Sequence, residues 1–248
     1  EATGPVIANP ITAPLDVERM HYIKDLPALT ETIRRVNQKL PKGIPLLGFA
    51  GAPFTVLTYL IEGGSSTNFR KTFAFARQCP HVFRKALDIL TDNTIAYLNI
   101  QKEAGIKAFQ LFDTWGGMLS AHDYRQWAYP FAAKVFENVK LPSIYYVKNC
   151  SHLLKIMEQT GAQFLSPCHT VDLADPNVLN PTPCGIQGNL NNTLVYADYE
   201  ELRREVQKLL TASKRFKRYI FNLSHGLLPD TDVDKVKFII QTVHAFHR

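Results

Sequence analysis

Short apolar runs alternate along this chain with longer segments in which apolar and polar residues are mixed. A continuous apolar run of a few residues is typical of a strand covered on both faces, as in a parallel sheet. The runs that predict buried strands are Ile44–Ala50, Lys107–Phe112, Ser143–Val147, Gln163–Leu165, Gly185–Gln187 and Tyr219–Asn222.

The segments between these runs have the longer, mixed pattern of amphipathic helices. Ser151 stands where an N-cap would begin one of them, because a serine hydroxyl can accept a hydrogen bond from a free amide of the first turn. The predicted helices are Phe54–Glu62, Asn68–Gln78, His81–Ala104, Tyr124–Val139, Ser151–Thr160, Tyr199–Ala212 and Val233–His247.

One run, Ile44–Ile61, carries no charge and has the length of a membrane-spanning helix. Pro45, Gly48, Gly51 and Pro53 fall in its first part and disfavour a continuous helix there. We therefore interpret it as a strand, a turn and a helix, and expect no membrane insertion.

Alternating strands and helices predict an α/β fold with a parallel sheet between helices. Six predicted strands fit either an open doubly wound sheet or a (β/α)₈ TIM barrel whose first two βα units are missing, and composition does not decide between them. The GxGxxG signature of dinucleotide-binding sheets is absent, which favours the barrel.

The composition fits one soluble domain over residues 1–248, with 46% hydrophobic and 20% charged residues. A formal net charge of +6 suits an anionic substrate. The basic run Lys214–Arg218 is interpreted as a solvated face, and nothing else supports nucleic-acid binding. The four cysteines form no CxxC pair, which favours reduced thiols and a cytoplasmic location.

Ligands of parallel α/β folds meet the residues just after each strand. Asp113 and Thr114 follow one predicted strand, and His225 follows the last, beside the permissive Gly226. Each also has a structural interpretation: Asp113 could cap a turn, and Tyr59, on the first predicted helix, could be a core tyrosine. Cysteines and histidines at several loop ends leave a zinc site open as a further interpretation.

Four motifs resemble uroporphyrinogen decarboxylase, in that family's order and approximate spacing. They are GFAGAPFTVLTYLIEGG (Gly48–Gly64), QLFDTWGGML (Gln110–Leu119), GIQGNL (Gly185–Leu190) and NLSHGLLPD (Asn222–Asp230). The resemblance covers essentially the whole chain and implies the third to eighth units of a (β/α)₈ barrel that forms a homodimer.

The resemblance implies a carboxy-lyase of haem biosynthesis that removes the carboxyl groups of the four acetate side chains of uroporphyrinogen and gives coproporphyrinogen. It implies no cofactor and no metal, because a protonated pyrrole ring can itself accept the electrons left by carbon dioxide. By the same resemblance, Tyr59 and His225 match active-site residues of the family, and Thr114 stands where the family has a serine that contacts a substrate carboxylate.

The chain departs from the family pattern in several places. The two arginines of the family's RQAGR motif and its catalytic aspartate belong to the first units, which we expect to be missing here. Pro167, Cys168 and His169 replace the family's Leu-Asp-Trp, and Asn191 replaces an aspartate. These changes lie close to the pocket side of the barrel that the resemblance implies.

Two other functions remain open. A zinc- and corrinoid-dependent methyltransferase of the same superfamily would place a His-x-Cys pair and a further cysteine where this chain has Lys148–Cys150 and Ser224. An inactive barrel that acts as an interaction protein is the third candidate. We expect no zinc, because only one of the three ligands remains.

Overall fold

The computed structural model describes residues 7–64, 66–177 and 183–246. Six strands form one parallel sheet in the order in which they occur in the chain. A doubly wound sheet reverses its strand order at a switch point, whereas a (β/α) barrel adds each strand beside the last. The sequential order therefore confirms the barrel interpretation. The strands are β1 Leu47–Gly51, β2 Ala108–Asp113, β3 Ser143–Val147, β4 Phe164–Pro167, β5 Gly185–Gln187 and β6 Tyr219–Ile220.

Helices connect the strands and cover one face of the sheet. The α-helices among the described residues are α1 Pro27–Lys39, α2 Pro53–Glu62, α3 Arg70–Gln78, α4 Pro80–Ala104, α5 Ala121–Trp127, α6 Tyr129–Asn138, α7 Leu154–Met157, α8 Tyr199–Ser213 and α9 Val233–His244. The Asp198 side chain caps α8 by accepting a hydrogen bond from the Glu201 amide at 2.7 Å, and Gly105, at φ 118°, ends α4 in the left-handed conformation.

The two faces of the sheet differ in how completely they are covered. The strand register places Phe109 and Leu111 on the outer face, where both are fully buried under the helices. Phe49 lies on the inner face at the β1 edge, where 60% of its surface is exposed. Along β2, away from this edge, the outward-facing residues are buried and the inward-facing residues are only partly buried, so the sheet has a sealed outer side and a more open inner side.

The charge-free run Ile44–Ile61 divides as the sequence predicts, into β1 and then α2. No helix among the described residues is long and apolar enough to cross a membrane. The strand begins only at Leu47, because Pro45 lacks the amide hydrogen that a sheet ladder uses.

Two helix predictions are wrong. The segment predicted as one helix over Tyr124–Val139 is broken at Ala128 into α5 and α6, where Pro130 removes an amide donor from the turn. The segment predicted as a helix over Ser151–Thr160 forms the single α-helical turn α7, followed by a 3-10 turn over Glu158–Thr160, and Leu153, not Ser151, precedes α7. The predicted end of the last helix at His247 lies outside the described residues.

Candidate functional site

A cavity of about 420 Å³ opens at the carboxyl ends of the strands, on the inner face of the sheet. We call it the inner cavity. It brings together Thr114, directly after β2, and His225, in the loop after β6. The other lining residues come from β2, β3, β4 and that same loop, and they are Gln110, Phe112, Tyr146, Ser166, Asn222, Leu223, Ser224 and Gly226. No acidic side chain is among these described lining residues.

Tyr59, the third residue singled out from the sequence, does not line the inner cavity. It lies on α2 with 39% of its surface exposed, and its ring makes an edge contact with Trp115 at a centroid distance of 6.4 Å. Trp115 directly follows Thr114. Tyr59 is therefore next to the residues after β2, outside the inner cavity.

The loops after β2 and β3 pack tightly against each other. A Cβ on Gly117 would lie 1.8 Å from the carbonyl oxygen of Lys148, so only glycine fits at this position. The Lys148 ammonium lies 5.8 Å from the centre of the Trp115 ring, within range of a cation–π contact. This packing fixes the position of the segment that carries Thr114.

Asp113 faces away from the inner cavity and is fully buried. Its carboxylate accepts hydrogen bonds from the Thr55 hydroxyl at 2.6 Å and from the Tyr145 hydroxyl at 2.9 Å. The Tyr145 and Tyr124 hydroxyls are in turn 2.7 Å apart. Burial raises the pKa of Asp113 to about 6, although these hydrogen bonds and one from the Gly116 amide act in the opposite direction. The Asp113 network therefore holds the end of β2 in place rather than binding a ligand.

Cys150 and Cys168 form a buried thiol pair behind the inner cavity. The hydrogen bond from the Cys150 thiol lowers the pKa of Cys168, and the Thr170 hydroxyl, 2.9 Å from the Cys168 sulfur, acts in the same direction. The Asn149 amide donates to the same sulfur at 3.0 Å. These contacts explain how a cysteine is accommodated where the family usually has aspartate.

His169 connects the loop after β4 to the loop after β6. Its Nδ1 atom is 3.0 Å from the Ser224 hydroxyl, next to His225. On its other side His169 lines a second cavity of about 310 Å³, together with Asp172, Asn191 and residues of α8. Asn191 caps the turn that follows it, because its side chain accepts a hydrogen bond from the Thr193 amide at 3.1 Å.

The described residues contain no group of three or more histidine, cysteine or acidic side chains placed to hold a metal ion. The His152 ring is instead 2.8 Å from the Leu119 carbonyl oxygen.

Sequence reasoning found Thr114 and His225 from their positions after strands, but it missed Gln110, Tyr146 and Ser166. These three lie within strands, and their inward direction follows from the register of the sheet. The alternation of side chains along each strand was the available signal, but it becomes informative only when one inward residue is known.

Sequentially ordered parallel strands and helices on the outer face define this protein as a (β/α)-barrel protein, and the inner cavity at the carboxyl ends of the strands is its candidate ligand site. A family model described as uroporphyrinogen decarboxylase matches residues 1–246. This chain belongs to the uroporphyrinogen decarboxylase family.

Individual relatives agree with this assignment. The uroporphyrinogen decarboxylase of Bacillus pumilus is 36% identical and is matched over 98% of this chain and 70% of its own length. Those of Cellvibrio japonicus and Citrifermentans bemidjiense are each 34% identical, matched over 97% and 99% of this chain and 70% and 74% of their own lengths.

Solved structures show the same fold at lower identity. A methyltransferase from Methanosarcina mazei has a TM-score of 0.77 at 19% identity, over 90% of this chain and 65% of that one. A B12-independent methionine synthase from Shewanella sp. W3-18-1 has a TM-score of 0.63 at 10% identity, over 90% of this chain and 66% of that one. At these identities the likeness concerns the fold alone.

Proposed function

We propose that this protein removes the carboxyl groups of the acetate side chains of uroporphyrinogen and gives coproporphyrinogen, without a metal or a cofactor. Membership of the uroporphyrinogen decarboxylase family is the observation that carries the proposal. Uroporphyrinogen carries many carboxylates, and the net charge of +6 favours the approach of such an anion.

The inner cavity has the chemistry that this substrate needs. Hydrogen-bond donors from Thr114, Ser166, Ser224 and His225 surround it, whereas the described lining residues include no carboxylate that would repel an anion. A preorganised set of donors stabilises carboxylates and holds the reacting side chain in one orientation.

In the reaction, a proton adds to the pyrrole ring beside the acetate group and makes the ring an electron acceptor. The bond between the acetate methylene and its carboxyl carbon then breaks, its electrons move into the ring, and carbon dioxide leaves. A proton adds to the methylene carbon to form the methyl group, and the ring returns its extra proton. We assign Thr114 and His225 to substrate carboxylates. Tyr59, which contacts Trp115 outside the inner cavity, is assigned to the same substrate. We assign the proton transfers to His225 and Tyr59.

We also propose that the protein is a homodimer in the cytoplasm. The cytoplasm is supported by the four cysteines, none of which forms a disulfide bond in the described residues. The homodimer is supported by the resemblance to the family, and light scattering of the purified protein tests it.

The function is tested on the full-length gene product, supplied with uroporphyrinogen under anaerobic conditions so that the reduced macrocycle survives. His225→Asn keeps a hydrogen-bond donor but removes the imidazole, and we expect turnover efficiency to fall about ten- to hundredfold, as for loss of one hydrogen bond to a charged group. His122→Asn, at an exposed histidine of α5, is the matched control and should retain the unmodified rate.

Two outcomes would contradict the proposal in different ways. An unmodified protein that decarboxylates none of the uroporphyrinogen isomers would exclude the function. A His225→Asn variant with the unmodified rate and no accumulated intermediates would leave the function intact and show that His225 has a structural role.

A further inference from the structure

Tyr146 is a buried tyrosine whose hydroxyl has no partner among the described residues. It is the fourth residue of β3, and only 6% of its surface is exposed. Its ring packs against Phe112 at a centroid distance of 5.7 Å, and both residues line the inner cavity. The hydroxyl makes no hydrogen bond with any described residue.

An unpaired buried hydroxyl is unusual, because more than nine in ten buried polar groups in proteins are hydrogen-bonded. Its desolvation is not compensated in the free protein, so a phenylalanine of the same shape would be at least as stable there. Tyr146 shares the inner cavity with Thr114 and His225, so a ligand bound there can supply the missing partner.

The ligand atom that fits is an anionic oxygen. Burial raises the pKa of Tyr146 well above its ordinary value, so the phenol stays protonated and acts as a hydrogen-bond donor at neutral pH. The surrounding cavity supplies further hydroxyl donors and the His225 imidazole. Together these groups form a set of donors with no acidic competitor among the described lining residues.

We propose that the Tyr146 hydroxyl donates a hydrogen bond to a carboxylate of the bound substrate, as a binding contact additional to Thr114 and His225. This inference rests on the proposed function for the identity of the substrate. It assigns Tyr146 to binding rather than to proton transfer, so its loss should act mainly on KM.

The test is Tyr146→Phe, which removes one oxygen atom and leaves the ring in place. With uroporphyrinogen under anaerobic conditions, we expect KM to rise about ten- to hundredfold and kcat to change less than about threefold. The melting temperature of the ligand-free variant should stay the same or rise, because an uncompensated polar group has been removed.

Two matched tyrosines serve as controls. Tyr145→Phe removes a paired hydroxyl on the other face of the same strand, and should lower the melting temperature by at least about 2 °C. Tyr22→Phe changes a tyrosine that is 59% exposed and should leave the kinetics and the melting temperature unchanged. A purely structural role for Tyr146 would make its variant resemble Tyr145→Phe.

A further measurement, the rise in melting temperature when uroporphyrinogen is added, distinguishes failure of this inference from failure of the proposed function. If the unmodified protein decarboxylates and Tyr146→Phe has an unchanged KM, the inference is wrong and the function stands. If the unmodified protein is stabilised but inactive, and Tyr146→Phe loses that stabilisation, the inference stands and the function is wrong. If uroporphyrinogen does not stabilise the unmodified protein, no carboxylate of this substrate is bound and the inference is wrong.

Discussion

Tyr145 and Tyr146 are neighbours in β3, yet they lie on opposite faces of the sheet. The Tyr145 hydroxyl faces the helices, where it donates to Asp113 at 2.9 Å and lies 2.7 Å from the Tyr124 hydroxyl. Tyr146 lines the inner cavity, and its buried hydroxyl has no partner among the described residues. Both rings are buried, so burial alone does not distinguish them.

The two faces differ because the outer face packs against helices, whereas the inner face lines a cavity. On the outer face, every polar group of the Asp113 network is paired, which is the arrangement that stabilises a buried carboxylate. On the inner face, the Tyr146 hydroxyl is left without a partner among the described residues and therefore remains available to a ligand. A site that is prepared for an anion carries unsatisfied groups until the anion binds, and this costs stability in the free protein.

The largest effect should come from the apolar part of the outer face. Phe109 is fully buried and stacks on Phe136 of α6 at a centroid distance of 5.9 Å. Phe109→Ala should lower the free energy of unfolding by about 3 to 5 kcal/mol, through lost burial and the cavity that remains. Urea unfolding of both proteins at neutral pH measures this loss in the free energy of unfolding. A loss below about 1 kcal/mol would mean that the outer face is not the main core.

The next largest effect concerns the pH dependence of stability. The pKa of Asp113 is about 6 in the folded protein, above the value of about 3.9 in an unfolded chain. Between those values the folded state binds more protons, so the free energy of unfolding decreases as pH rises from about 4 to 6. The expected decrease from this one group is on the order of 2 to 3 kcal/mol.

Asp113→Asn tests this expectation, because asparagine does not titrate. Urea unfolding of both proteins at several pH values between 4 and 7 gives two stability profiles, and the difference between them isolates the contribution of Asp113. Lost hydrogen bonds would shift the variant by a constant amount at every pH. Parallel profiles would show that Asp113 titrates as an ordinary carboxyl group.

Much of this arrangement could be predicted from the sequence. The apolar runs identified all six strands, and the positions after strands identified Thr114 and His225, because the carboxyl ends of parallel strands meet at one edge. The break between α5 and α6 was missed, although Pro130 was visible, because the apolar pattern continues across it. Helix α1 was missed as well.

The sequence did not predict which of Tyr145 and Tyr146 lies on the outer face of the sheet and which lies on the inner face. Both belong to a continuous apolar run, in which no polar residue marks the inward positions. Which face each tyrosine occupies depends on the register of β3 against β2, which pairs Tyr146 with Phe112. Register is fixed by long-range packing, so it is absent from a local pattern.

The smallest expected effect is on the inner face at the β1 edge. Phe49 is 60% exposed and makes an edge contact with Phe112 at a centroid distance of 6.2 Å. Phe49→Ala should lower the free energy of unfolding by no more than about 1 kcal/mol, since most of the ring is already in solvent and little cavity is created. Phe109→Ala, on the neighbouring strand and the opposite face, is the matched comparison, measured by urea unfolding under the same conditions. Equal losses at Phe49 and Phe109 would mean that the inner face is as well covered as the outer one. The openness of the inner face would then no longer account for the Tyr146 hydroxyl that lacks a partner among the described residues.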